Sequence, residues 1–191
     1  NVAGSSGKRR VMIVLGTRPE VIKMAPVIDE LRRRPKRFDP VVCFTGQHRE
    51  TCAPLLRFFG IRPGHDLNVL TENQSPKDVA MRTMGRLDPI LARRRFDLVV
   101  VQGDTTSAFA AALIAFFRGI PVAHVEAGLR TGDLRNPYPE EMNRRLIGRV
   151  ASLHFAPTPR AARALRAEGG PRGNVWVTGN TAIDARRYAR A

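Results

Sequence analysis

The chain has 191 residues, 43% hydrophobic content and a formal net charge of +15, enough for one domain with a substantial core or slightly more than one. No run of about eighteen apolar residues occurs and residues 1–7 lack the regions of a secretory signal, so a soluble, cytoplasmic protein is expected. Only four of the 32 basic residues are Lys and the Arg residues are scattered along helical stretches, so the charge reads as solvated helix faces and a nucleic-acid partner is disfavoured.

Residues 10–15 form the first apolar run, and Gly16-Thr-Arg-Pro-Glu20 turns it into a helix to about Arg33. Thr17 and Glu20 stand at capping-box spacing with Pro19 in the first turn, so Glu20 reads as a cap residue, whereas Arg18, beside open helix N–H groups, is the better candidate for touching a phosphate or carboxylate. A second strand spans 38–45 and holds Cys43, a small buried apolar residue; with Cys52 it makes too few cysteines for a disulfide scaffold or a zinc site. Its exit, Gly46-Gln-His-Arg-Glu50, is polar. His48 and Arg49 suit either a cap and surface role or ligand contact. The helix from Arg49 to Phe59 is expected to pack Leu55, Leu56, Phe58 and Phe59 inward. Residues 61–75 read as one irregular functional loop, closed by Ser75 as the cap of a helix at 76–95.

The centre of the chain is Asp97-Leu-Val-Val-Val-Gln-Gly103, a strand buried on both faces, followed by Asp104, an Ala-rich helix to Arg118 and a second short strand at 122–125 that ends at Glu126. Two carboxylates thus stand at the carboxyl ends of neighbouring strands, the edge at which open α/β sheets bind ligands. Residues 131–139 are a linker broken by Gly132, Pro137 and Pro139, and Glu140 and Glu141 open a helix to Val150, where acidic residues serve as dipole partners. Strands at 153–156 and 175–177, a helix at 159–168, a Gly-rich turn at 169–173 and a final Arg-rich helix complete the chain. Strand and helix alternate throughout, which predicts an α/β fold with a mostly parallel, doubly wound sheet.

Six blocks carry a family resemblance: Gly16-Thr-Arg-Pro-Glu-Val-Ile-Lys23-Met-Ala-Pro, Thr45-Gly-Gln-His-Arg-Glu50, Gln102-Gly-Asp-Thr-Thr106, His124-Val-Glu-Ala-Gly-Leu-Arg-Thr-Gly132, Pro139-Glu-Glu-Met-Asn-Arg144 and Thr178-Gly-Asn-Thr181. Together they resemble the non-hydrolysing UDP-N-acetylglucosamine 2-epimerases. The resemblance implies a Rossmann-like domain that is one half of a glycosyltransferase-B-type fold. It sets expected boundaries: 1–8 a disordered leader or cloning scar, 9–180 the amino-terminal domain, and 181–191 the start of a linker or helix toward a carboxyl-terminal domain.

The same resemblance implies interconversion of UDP-GlcNAc and UDP-ManNAc for surface polysaccharides, by elimination and re-addition of UDP, with neither nicotinamide nor metal. It assigns Asp104, Glu126 and Glu140 to acid–base catalysis and Arg18 and Lys23 to the substrate cleft. Gln47, His48, Arg49 and Gln74 match the region where some members bind a second UDP-GlcNAc as activator, although Glu50 stands where some regulated members have Gln. A homodimer is expected for the complete enzyme, and this chain by itself is expected to be inactive. Two alternatives share the fold: half of a glycosyltransferase, against which the Glu126 and Glu140 motifs argue, and a non-catalytic nucleotide-sugar-binding domain.

Overall fold

The computed structural model describes residues 7–169 and 174–190, so the first six residues of the expected 1–8 leader and most of the turn at 169–173 lie outside the described residues. The elements run β1 (Arg9–Leu15), α1 (Arg18–Arg32), β2 (Phe38–Phe44), α2 (Arg49–Phe58), β3 (His65–Asp66), α3 (Pro76–Arg93), β4 (Leu98–Gln102), α4 (Thr106–Phe117), β5 (Val122–Val125), α5 (Glu140–Val150), β6 (Leu153–Ala156), α6 (Pro159–Ala167), β7 (Val175–Val177) and α7 (Thr181–Ala185), closed by a 3-10 turn at Arg186–Arg190. The sheet order is β3-β2-β1-β4-β5-β6-β7, and every neighbouring pair is parallel. This is the doubly wound arrangement, with its strand order reversing between β1 and β4.

Alternation along the strands sets the two core layers. Met12, Val14, Val99 and Val101 face α3 and α4 with Leu87, Leu91 and the alanines Ala108, Ala111, Ala112 and Ala115. Val11, Ile13, Leu15, Val100 and Val125 pack instead with Val21, Met24 and Ile28 of α1 and Leu56 of α2. Because residues i and i+2 share a face of a strand, each apolar run feeds both layers at once. The small alanine face lets α4 lie close to the sheet, which holds the start of that helix firmly against β4.

Two expectations need correction. The 61–75 segment is not wholly irregular: Gly64, Leu67 and Val69 donate backbone N–H groups to Val42, Phe44 and Thr45, each at 2.8 Å, so the segment continues the sheet as edge strand β3. Its signal was a short alternation, with Leu67 and Val69 buried between exposed Asp66, Asn68 and Leu70. Phe58 does not pack inward; it is 60% exposed. The buried face of α2 is set by Cys52 and Leu56 at i,i+4 spacing, and Phe58 lies two positions on, about 200° around the helix.

The terminal segment folds back against α1. Tyr188 donates its hydroxyl to Asp29 at 2.9 Å, and its ring meets Phe59 edge-on at 5.4 Å.

Candidate functional site

The site lies at the carboxyl edge of the sheet, around the β1/β4 reversal. Gly103 adopts φ +68°, a left-handed turn that ends β4, and Thr105 then caps α4 by accepting from Ala108 N–H at 3.0 Å. Between them, Asp104 points a half-buried carboxylate at Arg144, whose Nη2 lies 3.0 Å from Oδ2. Burial pushes the Asp104 carboxyl above its usual range; Arg144 opposes this, Glu140 and Glu126 add to it, and Lys23 opposes it more weakly. Those four groups act on Asp104 because they gather around it.

Glu126 leaves β5 with φ +63°, an uncommon conformation for a residue bearing a side chain. The strained turn aims its carboxylate across the β1/β4 crevice to Lys23, with Nζ 2.6 Å from Oε2 and 2.9 Å from Oε1. Gln102, the last residue of β4, donates to the same carboxylate at 3.0 Å. Glu140 is the partly buried first residue of α5. Arg18 is exposed at the first position of α1.

The next residue, Glu141, is the fully buried member of the Glu140/Glu141 pair. Its carboxylate accepts from Thr131 N–H at 3.1 Å, from Gly132 N–H at 3.4 Å and from Arg145 at 2.9 Å. Burial raises its pKa, but Arg145, those two N–H groups and Arg144 outweigh burial and hold it below the usual range. Glu141 thereby pins the exposed 131–139 segment to α5, while Arg144 also reaches the Glu140 carbonyl at 3.3 Å.

Glu20 is indeed a cap residue, and more. One oxygen accepts from Gly16 and Thr17 N–H at 2.6 and 2.7 Å, and the other accepts from the Thr105 hydroxyl at 2.6 Å. Gly16 is required there, since a Cβ would lie 2.4 Å from Thr45 Oγ1.

The second group of sequence-predicted residues is less gathered. Gln47 accepts a hydrogen bond from Ser107 in the first turn of α4, which brings it beside the site. His48 is exposed, and its backbone N–H donates to Gly16 at 3.0 Å. Arg49 turns the other way, to Asp66 at 2.6 Å and Asn68 at 3.2 Å, and lies over the Phe44 ring. Gln74 accepts from Thr71 N–H within its own loop.

Sequence reasoning missed Arg144, Gln102 and Asn143. Arg144 had a findable signal, because it stands four residues beyond Glu140 and so shares its helix face. Among the described residues no cluster of three or more His, Cys, Asp or Glu side chains could hold a metal ion.

A Rossmann-like α/β domain with carboxylates and cations converging at its strand-order reversal belongs to the class that handles ligands at the carboxyl edge of the sheet. The chain belongs to the UDP-N-acetylglucosamine 2-epimerase family, whose sequence model matches residues 29–191. It is 48% identical over 181 residues to the UDP-N-acetylglucosamine 2-epimerase of Salmonella typhimurium, covering 95% of this chain and 48% of that one. The fold matches the UDP-GlcNAc 2-epimerase of Neisseria meningitidis bound to UDP-GlcNAc, with TM-score 0.91 and 46% identity over 95% of this chain and 48% of that one. It also matches the Methanocaldococcus jannaschii enzyme in complex with UDP-GlcNAc and UDP, with TM-score 0.86 and 36% identity over 92% of this chain and 48% of that one. The chain spans about half the length of the curated relatives it matches. No helix among the described residues is long and apolar enough to cross a membrane.

Proposed function

We propose that this chain is the amino-terminal half of an enzyme that interconverts UDP-GlcNAc and UDP-ManNAc in the cytoplasm, with a second domain of the glycosyltransferase-B type closing the cleft from the other side. The observation that carries the reading is the convergence of Asp104, Glu126 and Glu140 with Lys23 and Arg144 at one sheet edge. Inverting C2 requires removing a proton too weakly acidic to leave unaided. In the route this site suits, the C1–O bond to UDP breaks as the C2 proton is taken, leaving a C1=C2 double bond. UDP then adds back to C1, and a proton reaches C2 from the opposite face.

The three carboxylates divide that work by environment. Asp104, held above the usual carboxylate range by burial, is suited to keep and return a proton more readily than an exposed carboxylate. Glu126 is committed as an acceptor to Lys23 and Gln102, so a proton or developing positive charge on the sugar meets a fixed, oriented carboxylate. Glu140 stands close enough to act on Asp104 electrostatically and completes the acidic wall. Arg18, exposed at the start of α1, is free to meet an anionic part of the substrate.

A regulatory reading rests on the turn after β2. Gln47 touches α4 through Ser107, and His48 touches the β1 exit through Gly16, so a second UDP-GlcNAc at Gln47, His48, Arg49 and Gln74 would press on both elements that carry the site. The complete enzyme is a homodimer in this proposal.

In deuterated water the two-domain protein should incorporate deuterium at C2 of the nucleotide sugar, and Glu126→Gln or Asp104→Asn should suppress this by about 10²-fold or more. Residues 1–191 alone should incorporate none above background, because the sugar is held from one side only. Exchange that persists in both variants would end the assignment.

A further inference from the structure

Three side chains that play no part in the chemistry just described converge on Gly103, Asp104 and Thr105. His124 Nε2 lies 2.7 Å from the Gly103 carbonyl. A carbonyl only accepts, so that nitrogen carries the proton, and burial, which lowers the ring's pKa to about 3, keeps the donor neutral. Asn143 Nδ2 donates to the Asp104 carbonyl at 2.9 Å and also lies 3.3 Å from Thr106 Oγ1. Glu20 accepts the Thr105 hydroxyl at 2.6 Å. Each of three consecutive residues is therefore held by one of these side chains, and each comes from a different element: β5, α5 and α1.

The three gripping residues are 0%, 1% and 2% exposed for His124, Asn143 and Glu20. Burying an imidazole, an amide and a carboxyl costs several kcal/mol where apolar side chains of similar size would pack at no such cost. Packing alone does not account for this choice at three neighbouring positions. What does account for it is the segment they hold, which begins at a left-handed glycine and, among the described residues, has no ladder partner beyond the Gly103 N–H to Val125.

The spacing ties this mount to the rest of the site. His124 precedes Glu126 by two residues on β5, Asn143 follows Glu140 by three on α5, and Glu20 precedes Lys23 by three on α1. Each element that delivers a charged group to the cleft also delivers one of the three grips.

We propose that Glu20, His124 and Asn143 are positioning residues that fix Asp104 through its backbone, so that its carboxylate keeps one placement relative to Glu126, Glu140 and Lys23. The inference rests on the epimerase reading insofar as Asp104 acts on the sugar. Its structural half stands without that reading. Reacting groups need placement to within about 0.5 Å, and a shift of about 1 Å costs on the order of 10²-fold.

The test uses the intact protein and two kinds of substitution. Asn143→Ala removes one grip, and Thr105→Val removes the hydroxyl that Glu20 holds and that also caps α4, while Thr105→Ser keeps both contacts. Titration of the Asp104 carboxyl by carbon-13 NMR without substrate, assigned by its loss in Asp104→Asn, reads the mount directly. Steady-state epimerisation of UDP-GlcNAc reads its consequence.

We expect Asn143→Ala and Thr105→Val to move the Asp104 titration toward the ordinary carboxylate range and to lower kcat by about 10–10²-fold with KM little changed, and Thr105→Ser to behave as wild type. Should Asn143→Ala fail to fold, the Val and Ser pair decides. An Asp104 titration unmoved in folded Asn143→Ala and Thr105→Val proteins overturns the proposal. A wild-type protein that titrates as expected but does not epimerise would fault the functional reading and leave the mount standing.

Discussion

Arg144 and Asp104 meet at 3.0 Å with only 11% of the arginine side chain exposed, so α5 and the exit of β4 are joined by a nearly buried ion pair. The pair is also the main force opposing the upward pull of burial on the Asp104 carboxyl.

Arg144→Met should therefore raise the Asp104 pKa further, since burial, Glu140 and Glu126 would then be opposed only by Lys23. The alkaline limb of the pH profile of kcat/KM, set by an acid that must hold its proton, should move to higher pH. A limb that stays in place would show that Asp104 is not the group titrating there.

Acid should weaken the fold through two buried histidines that sit side by side in the register of β5 and β6, His124 and His154. Burial lowers both pKa values, that of His124 to about 3 from an ordinary 6.5. Below pH 6.5 the unfolded chain takes up protons that the native rings refuse, so stability falls with falling pH until about pH 3. Glu20 and Asp104 work in the opposite direction, because their raised values make the native state bind protons first, and their contributions grow as pH falls. The readout is thus a difference: between pH 7 and 4.5, His124→Gln should lose about 2–3 kcal/mol less unfolding free energy in urea than wild type. Equal losses would contradict the burial argument.

Gly128 follows Glu126 by two residues with φ +90°, and a Cβ there would lie 2.3 Å from the Ala161 carbonyl oxygen of α6. Backbone cannot yield as a flexible side chain can. Gly128→Ala should cost about 3 kcal/mol or more, read as a lower urea midpoint at an unchanged slope.

His48→Ala tests the regulatory reading in the complete enzyme. The shape of the substrate-saturation curve should change more than the limiting rate, because His48 is exposed at the β2 exit and none of its hydrogen bonds among the described residues reaches the three carboxylates. An unchanged curve would remove the activator assignment.

The alternation of apolar runs with caps was enough to place most strands and helices, since β1 and β4 are buried on both faces and Ser75, Thr105 and Thr158 are caps that accept from N–H groups three residues on. The edge strand β3 escaped notice because it is two residues long and the alternation continuing from it rests on Leu67 and Val69 alone. Asp104 and Glu126 were legible as neighbours because each ends a strand. What was not legible is contact across elements: nothing in the spacing of Glu20 and Thr105, 85 residues apart, announces that they share a hydrogen bond. The side-by-side histidines and the Lys23–Glu126 pair, 103 residues apart, were hidden for the same reason.

On the proposed reading, the left-handed backbone at Glu126 sets stability against activity at a single position. Gly or Asn would adopt that conformation with about 1 kcal/mol less strain, a gain offset in part by leaving Lys23 without its partner. A gene copy released from selection for turnover would drift toward those residues, with only the contacts to Lys23 and Gln102 still favouring a glutamate there. Glutamate at this position in an uncharacterised paralogue would then mark a protein still under selection as an enzyme, and glycine or asparagine one kept for another purpose.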